Sequence, residues 1–479
     1  MERSDRVEMS EEGVLLLDHY DESAAMLKDS FRLAGFSGPV IVLSEDAALP
    51  DDVCSLYRLA ARDSAPSPFP GAVRAAQPMS ARQQRCYRLA HAGWTPGMGR
   101  HFNQIEVPDY WEIAADGASG KVFDRSHLRA RIFYARGVEG RVVSDVDWLD
   151  EGGTVRFTDH YDLKGQLYAR TTFNERGERF CRSWLDELGR ERIVENYVTG
   201  DLLVTRDGVT RLFRNRTELA VGLLRDLGLE GQRIFYNSLS TPLFVSERLA
   251  MAPGGNVLFW QEGPRPDIPG NMQLILDGRS HTGQILVQNA ASCERLLSLG
   301  ASGEYVRPFG FAYRFERHNA GGSEVLICTN SDQVEGLGTL VRGLPQMRFH
   351  VAALTEMSAK LMAFGAEPNV RLYPVASKAT LDRLFKSCDW YLDVNHGAEI
   401  VNAVRRAFLS DQLILGLAGT LHRPRYLSPE HVFESAQDMV ELIGKIGASQ
   451  DRIQRHLALQ REAAMTEQPQ AYRRLFHES

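Results

Sequence analysis

The sequence predicts an α/β protein in which two Rossmann-type domains face a cleft and an antiparallel β-meander domain is inserted into the first of them. Three observations lead to this fold class. Apolar runs alternate with helical segments near the start, short segments separated by evenly spaced glycines fill residues 101–215, and the strand–helix alternation resumes after residue 216. Strand–helix alternation is typical of parallel sheets, and short strands between tight turns are typical of antiparallel ones.

The first Rossmann-like domain is predicted from two stretches, residues 1–100 and 216–310. It opens with an apolar run, a helical stretch, Gly35 and a second apolar run, which is the order of a β-α-β unit in a parallel sheet. Residues from about 62 to 98 contain many prolines and alanines and are predicted to form an irregular insertion. Beyond residue 216, a helix near 217–227 leads to apolar runs at 233–236, 256–262, 272–276 and 283–287.

The inserted domain, residues 101–215, is predicted from a repeat. Gly153, Gly165, Gly177 and Gly189 lie twelve residues apart, each after acidic residues and before a run rich in β-branched and aromatic side chains. Glycine tolerates the positive φ that hairpin turns demand, so each repeat supplies one arm of an antiparallel meander. A helical repeat is the alternative interpretation, and the β-branched and aromatic residues disfavour it.

The second Rossmann-like domain is predicted for residues 311–465, followed by a C-terminal tail at 466–479. Its apolar runs lie at 324–328, 348–353, 370–373, 390–394 and 413–415. Residues 435–465 are expected to close the domain as a pair of helices.

Composition limits the function. The chain has 479 residues, 43% of them hydrophobic and 24% charged, and a formal net charge of −7. Such a length favours more than one domain, and a net negative charge disfavours nucleic-acid binding. Six cysteines are scattered without a Cys-x-x-Cys pair, which favours reduced thiols over a zinc site or disulfides. The charge-rich start has no signal-peptide core, and no apolar run reaches the roughly 20 residues of a membrane span, so we expect a cytoplasmic protein.

Polar loops follow the predicted strands in both Rossmann-like domains. Ligands of open parallel sheets bind at the carboxyl ends of the strands, so these loops are the candidate binding site. The candidate residues are Trp260, Gln261, Glu262, Asn330, Ser331, Gln333, Thr355, Glu356, Asn395 and His396.

Several candidates also have a structural interpretation. Trp260 either stacks on an extended peptide or its sugars, or lies in the core. Asn395 and His396 either contact a ligand or belong to a tight turn in which Gly397 opens a helix. The helix near 334–342 offers an anion site at its N-terminus, but we favour Asp332 as its N-cap. Glu356 either faces the cleft or caps a helix that begins near Ser358. No catalytic residue is predicted, because His396 has no partnered nucleophile in the sequence.

Several separated segments, in matching order over residues 14–465, resemble one family. They are Tyr-Trp-Glu-Ile (110–113), Val-Asp-Trp-Leu-Asp (146–150), Glu-Arg-Ile-Val-Glu-Asn (191–196), Val-Thr-Gly-Asp (198–201), Leu-Phe-Trp-Gln-Glu (258–262), Pro-Gly-Asn-Met-Gln-Leu-Ile-Leu-Asp (269–277), Ala-Leu-Thr-Glu-Met-Ser (353–358) and Leu-Asp-Val-Asn-His-Gly (392–397). Together they are similar to the accessory (GtfB-type) subunit of the two-component transferase that attaches N-acetylglucosamine to serine-rich repeat adhesins. The resemblance departs at the acidic first dozen residues and at the insertion around 62–98.

The resemblance implies a GT-B fold with an extended β-sheet domain and a non-catalytic role. The chain would stabilise a homologous catalytic O-GlcNAc transferase as a glycosylation chaperone, in a heterotetramer of two plus two subunits. It would also present the Ser/Thr-rich adhesin before accessory Sec export, at the cytoplasmic face of the membrane. No cofactor is expected on this chain, since UDP-N-acetylglucosamine would bind the partner. We expect the partner to contact the meander, with Arg182, Trp184 and Tyr197 as candidates beside an exposed sheet edge.

The residues themselves also disfavour donor chemistry. Active retaining enzymes of this fold place an Arg and a Lys after the first strand of the second domain and a Glu on a later helix. Here Asn330 and Glu335 occupy the first two positions, and Val404 or Arg405 the third. A carboxylate at the Lys position repels a diphosphate, which needs cations.

Three other functions compete with the accessory role. An active retaining glycosyltransferase would need the missing Arg, Lys and Glu. An epimerase on the same scaffold would lack the meander. A structural chaperone without acceptor contact would fail to capture a labelled Ser-rich peptide.

Overall fold

The computed structural model describes residues 13–45, 49–62, 97–135, 138, 140–252, 254–447 and 449–477, so most of the predicted insertion at 62–98 lies outside the described residues. The chain divides into two compact units. The first contains the described residues up to Lys28, those from Gly35 to Pro308 and those from Arg473 onward. The second contains Asp29–Ala34 and Phe309–Tyr472.

The strands of the described residues follow in chain order. They are β1 (Val14–Leu17), β2 (Val40–Val42), β3 (Cys54–Ser55), β4 (Glu112–Ala115), β5 (Ser119–Asp124), β6 (His127–Tyr134), β7 (Val143–Leu149), β8 (Val155–Tyr161), β9 (Leu167–Phe173), β10 (Arg179–Leu185), β11 (Glu191–Asn196), β12 (Leu202–Arg206), β13 (Val209–Phe213), β14 (Ile234–Tyr236), β15 (Asn256–Trp260), β16 (Thr282–Val287), β17 (Val306–Pro308), β18 (Glu324–Cys328), β19 (Arg348–Ala352), β20 (Val370–Tyr373), β21 (Trp390–Asp393), β22 (Leu413–Leu417) and β23 (Val432–Phe433).

The helices of the same residues are numbered likewise. They are α1 (Glu22–Leu33), α2 (Leu56–Ala60), α3 (Arg216–Asp226), α4 (Thr241–Ser246), α5 (Gly270–Leu276), α6 (Ala290–Ser298), α7 (Leu337–Gly343), α8 (Ala359–Met362), α9 (Lys378–Ser387), α10 (Ala403–Leu409), α11 (Ala436–Ile446), α12 (Gln450–Ala463) and α13 (Pro469–His477).

Each unit contains a parallel sheet. The first unit orders its strands β17-β16-β15-β14-β1-β2-β3, and the second orders them β20-β19-β18-β21-β22-β23. Residues 14–17, 234–236 and 256–260 are buried throughout, because helices cover both faces of a parallel sheet and its strands become continuous apolar runs. The predicted α/β class with two parallel sheets and an antiparallel one is confirmed.

One apolar run was grouped with the strands and is helical instead. Residues 272–276 belong to α5, which buries Met272 and Ile275 and follows Pro269. A spacing of three residues between the buried side chains is helical, whereas a strand would bury alternate ones. The strand of this region is β16.

The meander consists of β4 to β13 in sequence order, each antiparallel to the next. All four predicted turn glycines have positive φ, between 72° and 80°. The residue three positions before each glycine is Asp150, Asp162, Asn174 or Asp186. Each of these side chains accepts a backbone N–H of its own turn, as Asp162 Oδ1 does from Lys164 N at 3.0 Å. The repeat is therefore Asx-x-x-Gly, in which the Asx side chain closes the turn.

The meander is attached to the α/β part of the first unit through α2. The rings of Tyr57 and Trp184 stack with centroids 4.1 Å apart and an interplanar angle of 2°. Both side chains are at most 2% exposed, so the prediction that Trp184 contacts a partner is wrong. Beside this stack, Arg216 makes a bidentate ion pair with Glu195 at 2.9 and 3.2 Å. These contacts bury one face of strands β9 to β13.

We expect Trp184→Ala to destabilise the first unit by about 3–5 kcal/mol, because it removes a large buried ring from a packed core. Trp184→Phe should restore most of that loss, since an aromatic ring remains against Tyr57. Tyr110→Ala is the matched control, because Tyr110 is 72% exposed. Differential scanning calorimetry measures the effect, and equal melting temperatures for Trp184→Ala and Tyr110→Ala would contradict the proposed attachment.

Candidate functional site

At the carboxyl edge of the first-unit sheet, Gln261 is the centre of a polar network. Its Nε2 donates to Gln288 Oε1 at 2.8 Å and to the carbonyl of Ser23 at 3.1 Å, and its Oε1 accepts from Asn237 at 3.2 Å. These bonds join the loops after β14, β15 and β16 to the start of α1. Gln261 is therefore held in place at this edge.

A second group at this edge was not predicted from the sequence. Asp18, which follows β1, accepts from the hydroxyls of Ser240 at 2.5 Å and Ser238 at 3.1 Å. The string Asn237-Ser-Leu-Ser-Thr after β14 was the available signal, since the polar residues after every strand of a parallel sheet reach the same edge.

The neighbours of Gln261 have different environments. Trp260 is 2% exposed and packs in the core of the first unit, so its predicted stacking on a ligand is wrong and the core interpretation is correct. Glu262 is exposed and pairs with Arg265 at 2.6 Å. It remains accessible at this edge.

In the second unit, the loop after β18 is paired with the loop after β21. The backbone of Glu335 donates to Val394 O at 2.8 Å, and His396 N donates to Gln333 O at 3.0 Å. The buried amide of Asn395 accepts from the Thr329 hydroxyl at 2.6 Å. Gly397 lies so near Ser331 that an added Cβ would be 2.9 Å from Ser331 Cβ. These contacts make the two loops one surface.

The paired loops form one wall of a pocket of about 580 Å³. Across its mouth, Glu335 Oε2 lies 2.6 Å from His396 Nε2, and both side chains are about two-fifths exposed, at 43% and 40%. The sequence did not mark the residues of α7 and α8 that complete the pocket lining. The lining residues are Asp332, Gln333, Val334, Glu335, Gly336, Leu337, Gly338, Thr339, Arg342, Lys360, Leu361, Phe364 and His396.

The charges of this pocket do not suit a diphosphate. Its two cations, Arg342 and Lys360, are matched by two carboxylates, Asp332 and Glu335. A diphosphate needs an excess of cations at close range. The polar side chains instead offer donors and acceptors to a neutral or zwitterionic ligand, above an apolar floor that includes Phe364 and Leu361.

Two helix starts in this region were predicted wrongly. Helix α7 begins at Leu337 and has Gly336 at its N-cap with a φ of 65°, so Asp332 is not the cap and lines the pocket instead. Helix α10 begins at Ala403, six residues beyond Gly397. Gly397 therefore allows the close approach to Ser331 and does not open a helix. The bridge between Val334 and Asn395 precedes α7, and left-handed backbone at Val401 and Asn402, with φ of 48° and 52°, precedes α10.

Three other predicted residues, Asn330, Thr355 and Glu356, belong to the loops after β18 and β19. Asn330 Oδ1 accepts from Leu354 N at 3.1 Å and so ties the loop after β18 to the loop after β19. Thr355 and Glu356 are exposed and are not among the described residues that line the pocket. Ser358 caps α8 through its side chain, so Glu356 is not that cap.

On the meander, Arg182 and Tyr197 are half-buried beside Trp184. The Arg182 guanidinium lies 5.3 Å from the Trp184 ring centroid. Burial raises the pKa of Tyr197, and the nearby Glu195 carboxylate raises it further. Arg182 and Tyr197 therefore contribute to the contacts that attach the meander as well as to its surface.

Searches for metal sites and spanning helices among the described residues gave two results. No group of three or more His, Cys, Asp or Glu side chains is arranged to hold a metal ion. No helix in that part of the chain has the length and apolar character needed to cross a bilayer.

Four family models match successive parts of the chain. They are the GtfB N-terminal domain (residues 14–59), the GtfB middle domain (111–214), the GtfB third domain (216–299) and the GftB/GlyA-F C-terminal domain (325–460).

Curated relatives carry the same family name. The chain is 38% identical over 428 residues to the UDP-N-acetylglucosamine–peptide N-acetylglucosaminyltransferase stabilizing protein GtfB of Streptococcus gordonii, covering 88% of this chain and 89% of that one. It is 36% identical to the protein of that name from Streptococcus pneumoniae serotype 4, over 94% and 95% of the two chains.

A solved structure agrees with the fold. A chain in the crystal structure of the GtfA/B complex bound to UDP and GlcNAc is 34% identical and superposes with a TM-score of 0.81, over 97% of this chain and 99% of that one. A chain in the crystal structure of accessory secretory protein 1, 2 and 3 of Streptococcus pneumoniae, 12% identical with a TM-score of 0.58 over 97% and 99% of the two chains, shares the fold alone. The predicted GT-B-like fold class is confirmed. The chain therefore belongs to the GtfB family of transferase-stabilizing proteins, as its sequence motifs predicted, and its role is that of a non-catalytic accessory subunit.

Proposed function

We propose that this chain binds a homologous catalytic O-GlcNAc transferase, stabilises it and holds the Ser/Thr-rich adhesin for O-glycosylation before accessory Sec export. The observation that carries the proposal is the pocket after β18, where the Glu335 carboxylate lies 2.6 Å from His396 Nε2, at the position that needs a cation for donor binding. The pocket keeps polar groups for an acceptor while its charge disfavours a diphosphate. UDP-N-acetylglucosamine belongs on the partner, in keeping with the UDP and GlcNAc of the solved GtfA/B complex.

Acceptor binding is supported by polar groups at two sheet edges. In the first unit these are Gln261, Glu262 and the Asp18–Ser240 pair, and in the second they are Gln333 and His396. An unfolded Ser/Thr-rich chain presents hydroxyls and backbone amides, which such groups can hydrogen-bond. Extended chains bind weakly per unit area, and a second binding surface raises their effective concentration at the transferase.

His396→Ala is expected to weaken binding of a labelled Ser/Thr-rich peptide about 3–10-fold, because it removes one hydrogen-bonding group from the pocket. His318→Ala is the control, since His318 is an exposed histidine of the same unit outside the pocket lining. Fluorescence anisotropy gives both dissociation constants. Equal affinities for the two variants would remove the pocket from the proposed acceptor site, and no binding by the natural sequence would remove acceptor binding altogether.

For the partner we propose the uncovered face of the meander. Leu203 and Leu212 are directly paired across β12 and β13, and they are 45% and 62% exposed. The half-buried Val194 continues the row on β11. The opposite face of the same strands is buried against α2 and α3 through Leu202, Val204 and Phe213. An apolar row of this kind suits another sheet of the same type, such as the meander of a homologous subunit. A complex of two plus two subunits and attachment to the cytoplasmic face of the membrane remain part of the proposal.

The double substitution Leu203→Gln with Leu212→Gln should weaken association with the catalytic subunit about tenfold or more, because it replaces an apolar face with polar groups. Leu297→Gln is the control, since Leu297 is 41% exposed on α6, away from the meander. Isothermal titration of the purified subunits measures both. Unchanged affinity in the double variant would move the proposed interface to another surface of the chain.

A further inference from the structure

A buried carboxylate pairs with a histidine outside the pocket lining. Asp393 ends β21 and its side chain is 1% exposed, while that of His422, in the segment after β22, is 15% exposed. His422 Nδ1 lies 2.6 Å from Asp393 Oδ1, and the His422 backbone N–H donates to Asp393 Oδ2 at 2.8 Å. The other ring nitrogen, Nε2, lies 2.7 Å from the carbonyl oxygen of Gly397.

These three contacts determine how many hydrogens the pair holds. A carbonyl oxygen only accepts, so His422 Nε2 carries a hydrogen. The 2.6 Å contact between Nδ1 and Oδ1 needs a second hydrogen, on one atom or the other. A neutral histidine beside an ionised aspartate has only one ring hydrogen, whereas the two contacts need two. The pair therefore holds one proton more than separate Asp and His side chains hold at neutral pH.

The surrounding charges stabilise that extra proton. Glu399 is the next carboxylate, and it pairs with Arg423 at 2.6 Å and accepts the backbone N–H of Val404 at 3.0 Å. The Thr420 hydroxyl donates to the backbone carbonyl of Asp393 at 2.7 Å. His422 thus faces two carboxylates, with Arg423 as the nearby cation.

Gly397 joins this pair to the pocket. Its N–H donates to Asn395 Oδ1 at 3.1 Å, and it directly follows His396, whose ring faces Glu335. A hydrogen bond on the Gly397 carbonyl therefore acts on the segment that carries one wall of the pocket.

We propose that Asp393 and His422 form a proton-holding clamp that positions residues 395–397, and with them the His396 wall of the pocket. Its consequence for acceptor binding rests on the function proposed above. Asp393 and His422 act here as positioning residues and make no contact with the acceptor themselves.

The two pKa shifts agree with the clamp. Burial is the largest influence on His422 and lowers its pKa, but the hydrogen bonds to Gly397 and Asp393 and the two carboxylates outweigh it, so the pKa is raised. Burial also raises the pKa of Asp393. Both shifts mean that the folded pair keeps more protons than the unfolded one. The clamp is therefore complete below the ordinary histidine pKa of about 6.5, and it is lost as the pH rises through the raised value.

The test uses the full chain. Histidine C2 hydrogen–deuterium exchange, read by mass spectrometry of the peptides, gives a titration midpoint for each histidine without substitutions. The midpoint of His422 should lie above that of the exposed His318, and a midpoint at or below that of His318 would overturn the clamp. The same data resolve His396, which lies beside Glu335.

His422→Gln adds a functional arm, because glutamine cannot span Asp393 and Gly397. At pH 6 its melting temperature should lie roughly 5 °C below that of the natural sequence, and the difference should shrink above the His422 midpoint. His318→Gln should match the natural sequence throughout. Peptide affinity of the natural sequence should fall as the pH rises through the same midpoint. That pH dependence should disappear in His422→Gln. If the natural sequence binds no peptide, the proposed function fails while the exchange data still decide the clamp. If the natural sequence binds the peptide but its affinity does not change across the His422 midpoint, the positioning role is wrong.

Discussion

The loops after β18 and β21 are joined by backbone hydrogen bonds, from Glu335 N to Val394 O and from His396 N to Gln333 O, and the paired loops form one wall of the pocket in the second unit. This pairing places the Glu335 carboxylate 2.6 Å from His396 Nε2. The family resemblance places this carboxylate where a nucleotide-sugar enzyme of the same fold needs a cation for the diphosphate. A carboxylate at this position repels a diphosphate.

A second constraint concerns the meander. Its strands alternate between two faces, and the Tyr57–Trp184 stack with the Arg216–Glu195 pair fixes which face is covered. The other face of β12 and β13 then presents Leu203 and Leu212 to solvent. This uncovered face is the surface that we propose for the catalytic subunit.

The sequence predicted features that depend on local pattern. The buried strands were predicted from unbroken apolar runs, and the meander from glycines twelve residues apart. Features that depend on tertiary packing were not predicted. Trp260 directly precedes the polar Gln261 and Glu262 in sequence, but its ring is buried in the core. Helix α7 starts late because Val334 bridges to Asn395 before the helix begins. Arg342 and Lys360 reach the pocket from α7 and α8, and no motif marked them. The pairing of Asp393 with His422 spans 29 residues and needs the folded sheet.

The most direct test of the accessory role is transfer of radiolabelled N-acetylglucosamine from UDP-N-acetylglucosamine to a Ser-rich peptide. Three samples are compared: this chain, the catalytic subunit, and both together. We expect no transfer by this chain alone, and much higher transfer by the mixture than by the catalytic subunit. Robust transfer by this chain alone would contradict the account, because Asn330 and Glu335 would then belong to a working donor site.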